Sequence, residues 1–287
     1  MGRCPVTQRS WIPYALIAPS VIFLSILFLY PLVQTLWLSV SSAEGFGLHN
    51  YRRMLSDLNF ADALRNTFLL TLIVVPIQIA MAILMATMVQ KIDRGRDLVL
   101  WIWTIPLAVS DLAAGLAWLS ILQNSGYLNS MLFALGVIPD KVNWLSYETP
   151  LALFAAIAIA EVWRATAIVL IIIVAGLQLI PKDYAEAAEV FGATPWMRFR
   201  KITLPLLKPS LQSALILRTV LAFEVFAVVY ALGGRNFPVL VGEAYGWQRD
   251  NQNYGVATAI AVLIMAVSLA ATVVYLKAVR VDPEQLP

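Results

Sequence analysis

The sequence predicts an all-α, polytopic membrane protein with six transmembrane helices in one domain over residues 1–287. Apolar residues make up 60% of the chain and charged residues only 13%, and the mean hydropathy is +0.78. This composition supplies too little polar surface to cover a soluble globule of the same length. Apolar runs of about 20 residues or more, the length at which a helix crosses a hydrocarbon core, occur six times.

The six apolar runs define the predicted spans. The first follows Arg3 and Arg9, is longer than the apolar core of a signal peptide and has no small-residue cleavage site, so we expect an uncleaved anchor. Pro31 and Pro76 fall inside spans, where neighbouring helices can satisfy the carbonyl groups that a proline frees. The spans lie near residues 12–40, 66–89, 98–122, 151–177, 209–232 and 255–276.

The distribution of Lys and Arg predicts the orientation, because cytoplasmic connections carry an excess of these residues. Twelve lie in the N-terminal segment, the second and fourth connections and the C-terminal tail, against six in the other connections. Both termini and the fourth connection, residues 178–208, are therefore expected in the cytoplasm. The basic residues are scattered between apolar segments and form no patch with aromatic residues, so we expect no nucleic-acid partner.

The sequence offers no catalytic or metal-binding residues. One cysteine, Cys4, and one histidine, His49, are too few for a disulfide framework or a His/Cys metal cluster. An intramembrane hydrolase would need a nucleophile and a base within the bilayer, but His49 falls in an external connection and no G-x-S-x-G sequence occurs. The G-x-x-x-x-G-K-[ST] phosphate loop is also absent. We therefore expect a protein that is not an enzyme and has no cofactor in this chain.

The fourth connection contains the sequence AEAAEVFGATPWMRFRKITLPLLKP, residues 185–209. Helix-favouring residues continue as far as Gly192, which is expected to end a first helix. Thr194 and Pro195 are an N-cap and first-turn pair for a second short helix, which we expect to end at Pro205. The pattern predicts a helix, a glycine turn and a helix on the cytoplasmic face. An ordinary connection with an interfacial amphipathic helix is also consistent with it.

The spacing within this connection resembles the cytoplasmic signature loop of permease subunits of binding-protein-dependent ABC importers. All fixed positions of that signature are present: Glu186, Ala187, Ala188, Gly192, Ile202, Leu204 and Pro205. The sequences GLHNY, GYLN, EVWR and ALGG elsewhere resemble the carbohydrate-uptake branch, and the first span is similar to that of maltose- and glycerol-phosphate-type first permeases. One position departs from the family, which usually has an acidic residue where Phe191 precedes the loop glycine.

The resemblance implies a heterodimer of two permease subunits in the prokaryotic inner membrane, two cytoplasmic ATPase subunits that bind ATP and Mg, and an external substrate-binding protein. This chain would form half of the translocation path for a sugar, polyol or sugar phosphate. Its alanines would permit close docking of an ATPase, Gly192 would supply the turn, and Glu186 would present a charge. The remaining signature residues would anchor the loop to the fifth span. A self-contained secondary transporter is the alternative, although it would not need such a docking loop.

Five ionisable residues fall inside predicted spans: Asp111, Glu161, Arg164, Arg218 and Glu224. Each costs at least about 2.5 kcal/mol at the bilayer centre on insertion scales, so each is expected to face the bundle or water. Glu161 and Arg164 are three residues apart and can pair along one helical face. Two interpretations stay open. The charges hold the bundle together, or Asp111, Glu161, Arg164 and Glu224 line the substrate path.

Aromatic residues near the outer ends of the spans fit two roles. They could stack on sugar rings, or they could form the aromatic belt that membrane proteins place at the interface. The residues concerned are Trp118, Tyr127, Trp144, Trp163, Tyr230, Tyr245 and Trp247.

Overall fold

The computed structural model describes residues 11–43 and 45–279. Helices dominate this part of the chain, and a short antiparallel strand pair, Ser41–Ser42 with Gly45–Phe46, follows the first apolar run. Four residues that entered the predictions lie outside the described residues: Arg3, Cys4, Arg9 and Arg280.

Fifteen α-helices follow one another within the described residues. In chain order they are α1 (Ile12–Leu24), α2 (Tyr30–Val40), α3 (His49–Leu55), α4 (Phe60–Val89), α5 (Arg96–Ala108), α6 (Asp111–Leu122), α7 (Tyr127–Ala134), α8 (Pro150–Gln178), α9 (Lys182–Val190), α10 (Pro195–Arg198), α11 (Leu204–Leu206), α12 (Lys208–Phe223), α13 (Ala227–Leu232), α14 (Leu240–Arg249) and α15 (Tyr254–Ala278). Two π-helical turns, Ser25–Leu29 and Phe199–Thr203, and a 3₁₀ turn, Gly234–Asn236, lie between them.

Four stretches are long and apolar enough to cross a membrane as unbroken helices: Pro13–Val40, α4, α8 and α15. Two more reach that length only as bent pairs. α5 meets the segment Asp111–Ala134 at 96°, and the segment Pro195–Leu206 meets α12 at 67°. The described residues therefore contain four to six candidate spans, in agreement with the predicted all-α membrane protein.

Two prolines inside helical segments are accommodated in the same way. A proline nitrogen cannot donate the hydrogen bond of an α-helix, and in each case a π-helical turn comes just before it. Ser25–Leu29 precedes Pro31, and Phe199–Thr203 precedes Pro205. Each turn closes with a hydrogen bond to a carbonyl five residues back, so the helix can pass the proline. The prediction that Pro205 ends the second short helix is therefore wrong, and the bend follows at Leu207.

The third predicted span, 98–122, is a broken helix and not a continuous one. α5 ends two residues after Pro106, and Val109 adopts an extended conformation. The hydroxyl of Ser110 then accepts a hydrogen bond of 3.2 Å from the amide of Ala113, which caps α6. Serine is among the strongest N-cap residues, so this local interaction begins a new helix inside an apolar run.

The fifth predicted span, 209–232, is also divided. α12 ends at Phe223, and the chain leaves helical geometry at Phe226 before α13 begins. α13 packs against α6, so the second halves of the two broken spans meet. Gly115 permits this contact, because a Cβ at that position would lie only 2.7 Å from the Cβ of Ala231.

α8 lies at the centre of the bundle, where it packs against α4, α5 and α12. Its buried face includes Ile157, Leu170 and Ile173. Gly176 lets α12 approach closely, because a Cβ there would lie 2.1 Å from the hydroxyl oxygen of Ser210. The first apolar stretch is different: its most apolar window buries no residue within this chain, and α2 packs against α15.

Candidate functional site

The helix–glycine–helix segment, residues 182–206, has the local structure that the sequence predicted. α9 ends in a two-bond cap, in which the amide of Gly192 donates to the carbonyl of Glu189 and the amide of Ala193 donates to that of Ala188, both at 2.9 Å. Gly192 has φ of +77°, the left-handed region that favours glycine. The hydroxyl of Thr194 accepts a hydrogen bond from the amide of Met197 and caps α10. The predicted glycine turn and N-cap are both confirmed.

The helix–glycine–helix segment presents its signature residues on the surface of this chain. Glu186 and Ala187 are exposed and Ala188 is half-buried. Phe191 is 90% exposed, and Trp196 is also exposed while its ring stacks on Phe199 with centroids 5.7 Å apart. Exposed apolar side chains in this turn are available for contact with another molecule or with the membrane interface.

One ion pair links the two helices of the segment. The guanidinium of Arg198 donates to the carboxylate of Glu189 at 2.7 Å, across the glycine turn. This bond spans from α9 to the last residue of α10. Glu189 therefore supplies a carboxylate two residues before Phe191, the position at which the signature family usually has its acidic residue.

The remaining signature residues lie where the segment enters the bundle. Ile202, Leu204 and Pro205 are each half-buried, and Leu207, at the bend that follows, is fully buried against α4 and α8 residues of the core. The bend is therefore fixed by packing. Leu207 thus joins the exposed helices to the start of α12.

Asp111, Glu161 and Arg164 lie together in a charge network that also contains Arg218 and Gln78. Arg164 donates to Glu161 at 3.1 Å and to Asp111 at 2.7 Å. On the other side of Glu161, Arg218 donates to its carboxylate at 2.8 Å. Arg218 and Glu161 are each only 2% exposed. Two guanidiniums and two carboxylates thus neutralise one another across α6, α8 and α12.

Gln78 ties this charge network to α4. Its side-chain amide donates to the backbone carbonyl of Glu161 at 2.8 Å, and its oxygen accepts from Nε of Arg218. The sequence predicted the Glu161–Arg164 pair from its spacing of three residues, and the structure confirms it. It gave no partner for Arg218 and no role for Gln78. The only indication was a lone amide side chain in the middle of a predicted span.

Glu224 lies apart from the charge network. It is exposed, follows the last residue of α12, and faces a groove of about 550 Å³ between α12 and α15. Ser268 on the opposite wall has a buried hydroxyl with no hydrogen-bond partner among the described residues. This groove and the charge network are thus two separate places where predicted path residues occur.

The structure divides the outer aromatic residues into different environments. The indole of Trp144 donates to Asn129 at 3.1 Å, and the ring of Trp118 packs edge-on against Trp163. Tyr230 and Tyr245 instead lie around one cavity of about 430 Å³ between α13 and α14, which we call the outer pocket. Burial is the main cause that raises the pKa of Glu243 in its wall, and the nearby carboxylate of Asp57 adds to it.

The comparison with known proteins identifies the family. Residues 62–280 match the family described as the binding-protein-dependent transport system inner membrane component. The chain belongs to this permease family. The permease is a multi-pass inner-membrane subunit of an ATP-driven importer and contributes to its translocation path. It is not itself an enzyme, since ATP hydrolysis in these importers resides in separate subunits.

Relatives match nearly the whole permease. The trehalose/maltose transport system permease protein MalF of Thermococcus litoralis is 35% identical over 283 residues, 93% of each chain. The sulfoquinovosyl glycerol transport system permease protein SmoG of Agrobacterium fabrum is 34% identical and covers 92% of this chain and 89% of its own. A bacterial alginate ABC transporter, solved in complex with an alginate pentasaccharide-bound periplasmic protein, shares the fold with a TM-score of 0.82 at 24% identity over 95% of each chain. The alternative of a self-contained secondary transporter is therefore wrong.

Proposed function

We propose that this permease carries a saccharide or a related polyol as one of two permease subunits of the importer. The named relatives support the solute class, since they belong to trehalose/maltose, sulfoquinovosyl glycerol and sn-glycerol-3-phosphate transport systems. The most apolar part of the first stretch, Pro13–Val40, is not buried by the rest of this chain. Its surface is therefore available for packing against a second permease subunit, which supports the proposed pair. An external binding protein delivers the solute to this pair.

The helix–glycine–helix segment is the proposed docking site for a separate ATPase subunit, which binds ATP and Mg. The exposed surface around Phe191, at the end of α9, is the single observation that most supports this role. Glu186 presents a charge beside an alanine surface, which allows close approach of a partner. Two ATPase subunits, one for each permease, complete the complex.

Movement of the ATPases reaches the membrane through α12 in this proposal. Leu207 holds the start of α12 in the core, and Arg218 further along it is bonded to Glu161 of α8 and to Gln78 of α4. A displacement of the segment therefore moves three helices as one body. Such rigid-body motion between two packed states is a common basis of switching.

We assign the four predicted path residues to two roles. Glu161 is buried and fully paired, so its role is to hold α8 to α12. Asp111 and Glu224 are exposed in this chain and can line the path. Arg164 links the two groups, because its guanidinium pairs with the exposed Asp111 and with the buried Glu161.

Transport in proteoliposomes tests the function. The permease is reconstituted with its partner permease, ATPase and binding protein, and uptake of labelled maltose, trehalose and sn-glycerol-3-phosphate is measured with and without ATP inside. We expect uptake of at least one of these solutes that requires ATP and the binding protein. Uptake that proceeds without ATP, or no uptake of any solute of this class, would contradict the proposal.

Six spans with both termini in the cytoplasm are the proposed topology. In a Cys4→Ser background, Gln248→Cys on α14 should react with an impermeant maleimide added to intact cells. Arg200→Cys, in the helix–glycine–helix segment, should react only after permeabilisation. The two positions are both exposed in this chain, so reversed labelling would show that the distribution of Lys and Arg gives the wrong orientation.

A further inference from the structure

We propose that the outer pocket is a saccharide-binding subsite that favours neutral sugars over anionic ones. The inference rests on the proposed function, because it specifies the solute within that class. The outer pocket has a volume of about 430 Å³, within the range of roughly 300–1,000 Å³ that small-molecule sites occupy.

Three aromatic rings form one wall of the outer pocket. Phe226 and Tyr230 lie with ring centroids 5.3 Å apart, and Tyr245, from the facing helix α14, lies 5.2 Å from Phe226 and 6.3 Å from Tyr230. Half of the surface of Tyr230 is exposed. An aromatic belt consists of separate rings at the level of the lipid headgroups. These three rings instead contact one another around a cavity. An apolar face of this kind suits the C–H face of a pyranose ring.

The polar groups of the outer pocket complement hydroxyls. The carboxyl of Glu243 has no hydrogen bond or ion pair with any residue that the structure describes, and it shares the wall with Asp57. Carboxylates accept hydrogen bonds from sugar hydroxyls. Burial is the main cause that raises the pKa of Glu243, which means that few waters compete for its carboxyl, and a carboxyl group can bond to a sugar hydroxyl in either protonation state.

The basic groups of the outer pocket are already engaged. Arg249 donates to the hydroxyl of Tyr245 and lies over its ring at 5.6 Å, while Arg235 pairs with Asp250 at 2.8 Å. A phosphate or sulfonate would have to compete with these partners and would approach the carboxylate of Asp57, whose charge repels it. The pocket therefore discriminates against anionic sugars by charge and accepts neutral ones by stacking and hydrogen bonds.

The outer pocket lies where a solute could bind before it enters the membrane path. Phe226 follows Glu224 by two residues, and Glu224 faces the groove between α12 and α15. Both cavities also border α14, through Tyr245 on one side and Ala244 on the other. A sugar that leaves the outer pocket thus has to pass only one helix to reach the groove.

Saturation-transfer NMR on the assembled importer in lipid nanodiscs, without its binding protein, tests the subsite. The probes are maltose, trehalose and, as the anionic comparison, sn-glycerol-3-phosphate. We expect transfer to the ring protons of maltose or trehalose and at least fivefold less to sn-glycerol-3-phosphate. Tyr245→Ala and Tyr230→Ala should each weaken sugar binding about tenfold, since each removes one aromatic contact. Tyr245→Phe keeps the ring and should retain most of the signal.

Tyr127→Ala is the matched control, because this tyrosine is exposed on α7 and outside the outer pocket. Equal transfer in the Tyr127, Tyr230 and Tyr245 variants, no transfer to either sugar, or preference for sn-glycerol-3-phosphate would overturn the subsite. ATP-dependent maltose or trehalose uptake without tyrosine-dependent transfer would overturn the subsite alone. Tyrosine-dependent transfer without any uptake would support the subsite and contradict the transport proposal.

Discussion

The charge network and the helix–glycine–helix segment differ in whether their side chains find bonding partners within this chain. In the charge network, the carboxylate of Glu161 is shared between Arg164 and Arg218, and Gln78 uses both ends of its amide. In the segment, Phe191 and Glu186 contact little or nothing of their own chain. The carboxylate of Glu161 is therefore paired within this chain, whereas the side chains of the segment remain available for contact with another molecule.

This contrast indicates how the segment can change position while the transmembrane helices α4, α8 and α12 stay packed together. Buried charges without partners in a bilayer are costly, so the charge network resists separation of α4, α8 and α12. Exposed residues in the segment cost little to rearrange. Substitutions in the charge network should therefore affect folding, and substitutions in the segment should affect coupling.

The largest effect is expected when one partner is removed from the charge network. Glu161→Ala leaves two guanidinium groups without the carboxylate between them, and Arg218→Ala leaves the Glu161 carboxylate with one partner. Breaking a buried pair in this way costs about 3–5 kcal/mol. The midpoint temperature for loss of the monodisperse peak, measured by size-exclusion chromatography of the detergent-solubilised protein, should fall strongly in both variants.

A pair of double variants identifies the central partner. Glu161→Gln with Arg218→Met should recover much of the stability, because Arg164 keeps Asp111. Glu161→Ala with Arg164→Ala should not, because Arg218 remains buried without a carboxylate. Arg235→Ala, which removes an exposed pair, serves as the control and should behave like the wild type. Equal recovery in the two doubles would contradict the central place of Arg218.

A large effect on coupling, with folding retained, is expected from Gly192→Pro. Proline requires φ near −65°, whereas Gly192 has +77°, so the turn between α9 and α10 cannot form. We expect normal amounts of the protein in the membrane but loss of solute-stimulated ATP hydrolysis by the reconstituted importer. Gly136→Pro is the matched control, since Gly136 also has a positive φ, +68°, and open surroundings. Comparable loss in both variants would point to a general folding defect.

Local rules were enough to predict the helix–glycine–helix segment but not the charge network. The hydrogen bonds around Gly192 and Thr194 join residues that are close in the sequence, so the turn and the cap could be recognised there. Glu161 and Arg164 could be paired for the same reason. Arg218 lies 57 residues from Glu161, and only the packing of α8 on α12 brings them together.

The breaks in the third and fifth predicted spans were missed for a related reason. Hydropathy averages over about 20 residues, and a single capping residue such as Ser110 barely changes that average. The outer pocket depends on the second break, because the chain must leave helical geometry at Phe226 for α13 and α14 to face each other. Its aromatic residues were recognised individually, but their gathering around one cavity follows from tertiary structure.

A moderate effect is expected from Glu186→Lys. Glu186 is exposed and makes no bond within the described residues, so the stability of the permease should change by no more than about 0.5 kcal/mol. The reversed charge should reduce copurification of the ATPase subunit about tenfold at low salt, and less at high salt, where surface charges are screened. Glu148→Lys, an exposed residue in another connection, should leave copurification unchanged. Full copurification of the Glu186 variant would show that this residue does not contribute to ATPase docking.

The smallest effect is expected from the ion pair between Glu189 and Arg198. Its atoms are 2.7 Å apart, but the Glu189 side chain is largely exposed, and exposed pairs contribute about 0.2–1 kcal/mol. The two-bond cap at Gly192 holds the turn independently of this pair. Glu189→Gln should therefore leave uptake within about twofold of the wild type, and the exchange Glu189→Arg with Arg198→Glu should do the same. A loss of uptake in the single variant that the exchange restores would show instead that the ion pair sets the angle between α9 and α10.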